Sequence, residues 1–213
     1  FSLMGELKDK QVLDAGCGEG YLSRLLSKAG SNVTAVDYSL RMIEIAQERT
    51  PVDLQIKYLR GNCEKLDTLE DNSFDLIVSN MVIQDLPNYE NAFREMFRLL
   101  VDGGSFIFSI LHPCFVTPGS GWEKNNSGEK LHWNVDRYFY EGAYEQRLGD
   151  KDKLLFFHRT LTSYVDKLTK VGFMIESIVE PKPSEIMLEK YPSFEEDLRC
   201  ADFMVFKATK LKR

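Results

Sequence analysis

The stretch QVLDAGCGEG at residues 11–20 decides the fold. A short apolar run ends there in glycines spaced two apart, Gly16, Gly18 and Gly20. This pattern predicts a buried strand followed by a tight loop, because glycine lacks Cβ and tolerates the positive φ that such a loop needs. YLSRLLSKAG at residues 21–30 has apolar side chains at helical spacing and ends in a glycine, which predicts a helix. A strand, a glycine loop and a helix in this order begin an open α/β sheet.

A second predicted strand points to a nucleoside site. NVTAV at residues 32–36 is apolar and β-branched, and it leads into Asp37, about 20 positions after Gly16. An acidic residue at this place can accept both hydroxyls of a ribose, while N–H groups of the loop approach the ligand. The glycine pattern is G-x-G-x-G, however, and Tyr21 stands where a dinucleotide fold has its last glycine. A tight turn without a ligand is the alternative interpretation.

A family resemblance extends these local signals. VLDAGCGEG at residues 12–20, followed by VTAVDYS at 33–39, resembles motif I and the acidic loop of class I S-adenosylmethionine-dependent methyltransferases. Residues 61–86 and 99–110 are similar to the third to fifth strands of that family. The resemblance implies an α/β, Rossmann-like fold with a seven-stranded, mostly parallel sheet, helices on both faces and a C-terminal antiparallel hairpin. It implies S-adenosyl-L-methionine as cofactor and S-adenosyl-L-homocysteine as product.

The same resemblance implies a set of cofactor-binding residues. Asn62 replaces the usual Asp of the third-strand loop, which leaves the adenine acceptor open between Asn62 and Glu64. Met42 stands either against the adenine or in ordinary core, and Asn80 is expected near the sulfonium end, holding the amino group of the methionine moiety. Gln84 takes the place of a histidine found in many relatives. The full set is Asp14, Gly16, Cys17, Gly18, Gly20, Asp37, Tyr38, Met42, Asn62, Cys63, Glu64 and Asn80.

Periodicity predicts the remaining elements. A helix at 39–49 is expected to have Ser39 as its N-cap and Leu40, Ile43 and Ala46 facing inward. Residues 102–104 are expected to form a turn. The other predictions are an edge strand at 53–60, a central strand at 73–80, helices at 88–100 and 160–171, and strands at 105–111, 173–179 and 201–208.

A long insert, 112–158, follows the fifth predicted strand. It is rich in Trp, Tyr and Phe, which disfavours disorder, and we interpret it as a substrate lid. His112 and His158 bracket this segment and are the candidate catalytic residues of the substrate site, since histidine titrates in the range that proton removal requires. The alternative is that both are structural and bond the lid backbone. No metal site is expected, because the spacing of the histidines and cysteines matches no zinc pattern.

Composition limits the function classes. The chain has 213 residues, 43% of them hydrophobic, which suits a single methyltransferase domain over 1–213. The net charge of −6 argues against a nucleic-acid partner. Four widely spaced cysteines without a C-x-x-C pair favour the cytoplasm, and no apolar run is long enough for a membrane span. The start at Phe1 suggests that an N-terminal segment is missing. The oligomeric state is left open.

These observations predict an S-adenosylmethionine-dependent methyltransferase of the small-molecule, ubiquinone-biosynthesis-like branch. Oxygen and nitrogen acceptors are favoured and carbon is not excluded, while the aromatic insert favours a planar or amphipathic acceptor. Two alternatives stay open. One is a catalytically silent S-adenosylmethionine-binding protein that activates a partner, and the other is an NAD-dependent Rossmann oxidoreductase.

Overall fold

The computed structural model describes residues 1–148 and 152–211. Its strands are β1 (Gln11–Ala15), β2 (Asn32–Asp37), β3 (Ile56–Arg60), β4 (Phe74–Asn80), β5 (Leu100–Leu111), β6 (Gly121–Lys124), β7 (Lys130–Asn134), β8 (Gly142–Leu148), β9 (Asp152–His158), β10 (Phe173–Val179) and β11 (Phe203–Lys210). Its α-helices are α1 (Tyr21–Lys28), α2 (Leu40–Arg49), α3 (Tyr89–Leu99), α4 (Leu161–Val171) and α5 (Glu185–Lys190). None of the helices in the two described ranges has the length and apolar character that crossing a bilayer requires.

One sheet organises these elements. Among the described residues it has seven strands in the order β10-β11-β5-β4-β1-β2-β3. The pairs β1–β2, β1–β4, β2–β3 and β4–β5 are parallel, and the last two strands form an antiparallel pair. The predicted fold class is therefore confirmed, including the central place of β4 beside β1 and the edge position of β3. Because parallel strands end at the same edge, Ala15, Asp37 and Asn80 all lie at the carboxyl edge of this sheet.

The aromatic face of α3 belongs to the core. Phe93 is fully buried, and its ring lies 6.1 Å from that of Phe106 and 5.4 Å from that of Phe108. Phe108 in turn stacks on Phe206, with ring centroids 4.8 Å apart. These rings fill the space between α3 and the sheet, which explains why the helix is strongly amphipathic.

Two local predictions are wrong. Leu40 is 51% exposed, whereas Ile43 and Ala46 are buried as predicted. Leu40 is the first residue of α2, and helical side chains tilt toward the N-terminus, where no further turn of this helix can cover it. Residues 102–104 are not a turn between elements but part of β5, where pairing with β4 jumps from Leu100 to Ser105. A bulge absorbs the extra residues without ending the strand.

The chain divides into two compact units. The first consists of Phe1–Ser109, Lys167–Ile178 and Phe206–Arg213, and the second consists of Ile110–Asp166 and Val179–Val205. The organisation of residues 1–213 as a single domain stays a prediction, as does the role of 112–158 as a lid.

The second unit contains two hairpins that were not predicted, β6–β7 and β8–β9. Trp122 and Trp133 face each other across β6–β7, with ring centroids 5.3 Å apart in an edge-to-face arrangement. The guanidinium of Arg199 lies 4.6 Å from the Trp122 ring, and its Nη1 donates to the carbonyl of Lys130 at 3.0 Å. This cation–π contact and the backbone bond fix the hairpin to the segment that carries Arg199.

Truncation of Phe93 tests the core of the first unit. We expect Phe93→Ala to lower the free energy of unfolding by about 3–5 kcal/mol, because a fully buried ring leaves a cavity among Phe106 and Phe108. Phe139→Ala is the matched control, since Phe139 is 87% exposed, and it should change stability by less than about 0.5 kcal/mol. Urea unfolding followed by far-ultraviolet circular dichroism measures both; equal midpoints for the two variants would contradict this description of the core.

Candidate functional site

The glycine loop between β1 and α1 is held by backbone hydrogen bonds. The N–H groups of Gly16 and Cys17 both donate to the carbonyl of Val36, at 2.8 and 2.9 Å. Gly16 and Gly18 have φ of 83° and 53°, in the left-handed region that glycine adopts most easily. The chain therefore turns sharply after β1 while staying bonded to the end of β2.

Gly16 and Gly18 have different structural roles. A Cβ on Gly16 would overlap the side chain of Val82, with Cγ1 only 2.8 Å away. A Cβ on Gly18 would meet no atom within 4 Å. Gly16 is thus required by packing against the segment that follows β4, whereas Gly18 borders open space in which a ligand could approach the backbone.

Asp37 faces this open space at the end of β2. Its Oδ2 accepts from Gly18 N and its Oδ1 accepts from Ser39 N, each at 2.8 Å. A carboxylate offers about four acceptor sites, so both oxygens keep one for a ligand hydroxyl. Neighbouring apolar side chains are solvent-facing, since Tyr38 is 71% and Met42 is 40% exposed. Met42 is accordingly not a core residue.

Asp14 lies beneath the loop and not in the open space. It is 1% exposed, and Ser23 Oγ donates to its Oδ2 at 2.5 Å. Burial raises the pKa of Asp14 to about 6; the Ser23 hydrogen bond counteracts this rise and the Asp37 carboxylate adds to it. Ser23 was not selected from the sequence, although a serine on the inward face of α1 is a signal for a buried polar partner.

The two cysteines of the predicted site are also buried. Cys17 is 8% and Cys63 is 5% exposed. Burial is the main cause that raises the pKa of both thiols, to about 12 for Cys63, and the carboxylates of Asp14 and Asp37 raise them further. Both thiols therefore stay protonated at neutral pH, so these positions can offer a ligand backbone groups but no thiolate.

Both candidate adenine acceptors in the β3 exit loop have partners of their own. Asn62 Oδ1 accepts from Glu64 N at 2.9 Å. The Glu64 carboxylate accepts from Asn88 N at 2.7 Å, at the start of α3. The structure therefore brings Asn62, Cys63 and Glu64 to the carboxyl edge, and the choice between the two acceptors stays open.

The end of β4 lies beside the glycine loop, as expected for neighbouring strands. Asn80 is exposed, and its Oδ1 accepts from Ser109 Oγ at 2.7 Å. Met81 has a left-handed φ of 60°, and Val82 then packs against Gly16. Gln84 is buried, with 7% exposure.

A charge cluster that the sequence did not reveal fixes the loop from outside. Glu19 forms ion pairs with Arg24 at 2.9 Å and with Arg49 at 3.0 Å. Arg24 is the main cause, and Arg49 the second, of the lowered pKa of Glu19. The loop is thereby tied to α1 and to the end of α2. Arg24 follows Glu19 closely in the chain, but nothing in the local pattern indicates Arg49.

The candidate catalytic histidines both lie in the second unit and are buried, His112 with 2% and His158 with 3% exposure. His112 Nδ1 accepts from Cys114 N at 3.2 Å, so Nε2 carries the proton and donates to Glu180 Oε1 at 2.8 Å. His158 Nε2 donates to the carbonyl of Tyr138 at 2.9 Å. Their assignment to a substrate site stays a prediction.

The second unit also contains a cavity of about 510 Å³. Pro183, Met187 and Phe203 give it apolar walls, and Asp202 adds a carboxyl group. Burial, followed by repulsion from Asp197, raises the pKa of Asp202 to about 6. The volume lies within the range that small-molecule ligands fill.

Comparison with known proteins identifies the family to which this site belongs. Residues 13–108 match the family described as methyltransferase domain. The chain is 31% identical over 196 residues to malonyl-[acyl-carrier protein] O-methyltransferase of Bacillus cereus, covering 83% of this chain and 69% of that protein. It is 37% identical over 107 residues to demethylmenaquinone methyltransferase of Staphylococcus aureus, covering 49% of this chain and 44% of that protein.

A solved structure is similar over nearly the whole chain. It is a protein of Listeria monocytogenes, provisionally described as an S-adenosylmethionine dependent methyltransferase, with a TM-score of 0.88 and 30% identity. The alignment covers 99% of this chain and 94% of that one.

Alanine substitutions at Gly16 and Gly18 distinguish a glycine needed for packing from one needed for ligand binding. We expect Gly16→Ala to destabilise the fold strongly, because its Cβ would overlap Val82. Gly18→Ala should cost only about 1–2 kcal/mol of stability, for its left-handed φ, but should weaken binding of S-adenosylhomocysteine at least about tenfold. Thermal unfolding and calorimetric titration measure the two effects. Unchanged affinity in a folded Gly18→Ala variant would mean that no ligand approaches this backbone.

The raised pKa of Asp14 predicts a stability effect with a defined sign. The native state holds this proton more tightly than the unfolded chain, so ionisation costs the fold stability as pH rises from about 4 to about 6. We expect Asp14→Asn to be more stable than wild type at pH 7.5, by as much as about 3 kcal/mol, with little gain near pH 4. Urea unfolding at both pH values tests this; the exposed Asp67→Asn is the control and should show no such pH dependence. A gain of equal size at both pH values would contradict the assignment.

Proposed function

The chain belongs to the S-adenosylmethionine-dependent methyltransferases, and we propose that it transfers the methyl group to a small-molecule acceptor through an oxygen or a nitrogen atom. The observation that carries the proposal is the open space over Gly18 with the Asp37 carboxylate bonded to its N–H at 2.8 Å. This arrangement suits a nucleoside whose ribose hydroxyls bind an acid and which has no pyrophosphate to place on the helix.

The residues present fit the cofactor. When bound, S-adenosylmethionine supplies a methyl group that is already activated on a sulfonium. The backbone at Gly18 leaves room for the nucleoside, and Asp37 keeps acceptor sites for two hydroxyls. Tyr38 and Met42 offer exposed apolar surface that an adenine ring would cover. The protein then has to align the cofactor and the methyl acceptor, because alignment gives most of the rate acceleration in a displacement of this kind.

The acceptor class is supported by the relatives. The O-methyltransferase of Bacillus cereus matches 83% of this chain, whereas the menaquinone enzyme of Staphylococcus aureus matches 49%. The broader match favours oxygen. The cavity of about 510 Å³ in the second unit supports a small molecule as ligand of that unit.

The hydrogen bonds of the histidines favour an acceptor that needs no proton removal. Both rings are buried, and His112 uses its two nitrogens for Cys114 N–H and Glu180. A carboxylate is ionised at neutral pH and reacts without a base. We therefore propose His112 and His158 as residues that shape a substrate site, and a carboxylate oxygen as the preferred acceptor atom.

Two further proposals follow from composition. The four cysteines are free, which supports the reducing cytoplasm. The net charge of −6 supports a small-molecule substrate over a nucleic acid. The NAD-dependent alternative is set aside because the matched relatives are methyltransferases that use a different cofactor.

Transfer of a labelled methyl group tests the proposal. Wild type and Asp37→Ala are incubated with methyl-labelled S-adenosylmethionine and a panel of carboxylates, phenols, amines and quinols, with malonyl-coenzyme A among the carboxylates. We expect label in oxygen or nitrogen products of the wild type. Asp37→Ala should bind S-adenosylhomocysteine about 1.5–3 kcal/mol more weakly, the scale of a charge-assisted hydrogen bond, and should lose turnover.

Two results would contradict this function. Label found only on carbon would overturn the acceptor atom. Tight binding of S-adenosylhomocysteine without transfer to any member of the panel would favour the catalytically silent partner protein.

A further inference from the structure

Three polar groups meet where β4 ends in the first unit. Asn80 and Ser109 are direct partners in the β4–β5 ladder. Ser109 Oγ accepts from Met81 N at 3.0 Å and donates to Asn80 Oδ1 at 2.7 Å. The serine hydroxyl therefore connects the backbone just after the strand with the last side chain of the strand.

These contacts determine which way the Asn80 amide faces. Ser109 Oγ accepts the Met81 N–H with a lone pair and donates its single proton to the Asn80 side-chain oxygen, not to its nitrogen. The separation of 2.7 Å is typical of an O–H···O bond and shorter than the usual N–H···O distance. The carbonyl end of the amide thus faces Ser109, and the NH2 end points away from it. Asn80 is exposed, so this NH2 group is open to a ligand.

The backbone holds Ser109 in this role. Met81 N donates to both the carbonyl of Ser109, at 3.1 Å, and its Oγ. Met81 has a left-handed φ of 60°, a conformation that non-glycine residues rarely adopt. Such strain persists where surrounding contacts impose it, and it concentrates at functional sites. Ser79 Oγ donates to the carbonyl of Ala15 at 2.8 Å, and Val82 packs against Gly16, so Asn80 lies in a segment that borders the glycine loop on both sides.

We propose that Ser109 is a positioning residue that makes Asn80 a hydrogen-bond donor to a carboxylate. The inference rests on the proposed function. An amide that presents its NH2 group attracts a carboxylate and does not suit an ammonium, which is itself a donor. The side chain of Asn80 is therefore assigned to a carboxylate and not to the amino group that the family resemblance implied. Two molecules at this site could supply the carboxylate, the methionine end of the cofactor and the methyl acceptor.

The Asn80 amide could face the ligand with its NH2 group or with its carbonyl oxygen. Asn80→Asp distinguishes these orientations, because a negative charge weakens binding of a carboxylate and strengthens binding of an ammonium. Calorimetry compares wild type and Asn80→Asp with S-adenosylhomocysteine and with 5′-methylthioadenosine, which lacks the amino-acid group. If the cofactor supplies the carboxylate, Asn80→Asp should weaken binding of S-adenosylhomocysteine at least about tenfold and leave 5′-methylthioadenosine unchanged, because like charges repel. Asn91→Asp adds the same charge at an exposed position of α3 and should change neither affinity.

A second titration tests the acceptor as the source. Octanoate and octylamine, a carboxylate and an amine on the same alkyl chain, are titrated into each variant saturated with S-adenosylhomocysteine. If the acceptor supplies the carboxylate, wild type should bind octanoate in preference to octylamine. Asn80→Asp should then weaken the binding of octanoate about tenfold without changing the affinity for S-adenosylhomocysteine.

Ser109 is tested with a matched pair. Ser109→Ala frees the amide to turn, so it should weaken the same carboxylate ligand about three- to tenfold and spare 5′-methylthioadenosine. Ser109→Thr keeps the hydroxyl and should retain the wild-type affinity. If Ser109 were only structural, Ser109→Ala would instead change the affinities for S-adenosylhomocysteine and 5′-methylthioadenosine together.

Three outcomes would overturn the proposal. They are tighter binding of S-adenosylhomocysteine by Asn80→Asp, no effect of Asn80→Asp on any of these ligands, and wild-type affinities in Ser109→Ala. Failure of the proposed function looks different, because the nucleoside affinities would then change as expected while the panel of methyl acceptors stays unlabelled.

Discussion

The close approach of Val82 to Gly16 brings the segment after β4 against the glycine loop of the first unit. A Cβ at position 16 would overlap Val82, so any other residue there would force this side chain or the loop to shift. The same glycine and Cys17 donate their N–H groups to Val36, so the ends of β1, β2 and β4 are joined within a few ångströms. Gly18, Asp37 and Asn80 come to one edge as a consequence. The left-handed backbone of Gly16 thus sets the direction of the loop, and the Asp37 carboxylate and the Glu19 ion pairs hold it in place.

The sequence predicted those features that depend on local pattern. Glycine spacing, strand periodicity and the acid at position 37 predicted the first two strands and the loop between them. The seven-stranded fold was implied by the family resemblance that these residues carry. The bulge at 102–104 and the exposure of Leu40 escaped prediction, because both depend on where one element ends relative to its neighbour. The two hairpins of the second unit lack a clear apolar alternation. Pairs far apart in the chain, such as Glu19 with Arg49 and Asn80 with Ser109, have no local signature at all.

Charge at the loop favours a cationic ligand. Burial is the main cause that raises the pKa of Asp14, and repulsion from the Asp37 carboxylate raises it further. The thiols of Cys17 and Cys63 stay neutral in the same field. A sulfonium with its ammonium group relieves this excess of negative charge, whereas the thioether product relieves less of it. The carboxylates of Asp14 and Asp37 therefore make the electrostatic potential at this loop negative.

The tryptophan pair of the β6–β7 hairpin has a practical meaning for spectroscopy. Trp122 and Trp133 are the two tryptophans of the chain, and both belong to the second unit. Arg199 lies 4.6 Å from one ring and Trp133 Nε1 donates to the carbonyl of Phe115 at 2.9 Å. Indole emission depends on just such neighbours, so the intrinsic fluorescence of this protein reports on its second unit. The residues of the first unit include no tryptophan, and Tyr38→Trp, at an exposed position, would give that unit a reporter of its own.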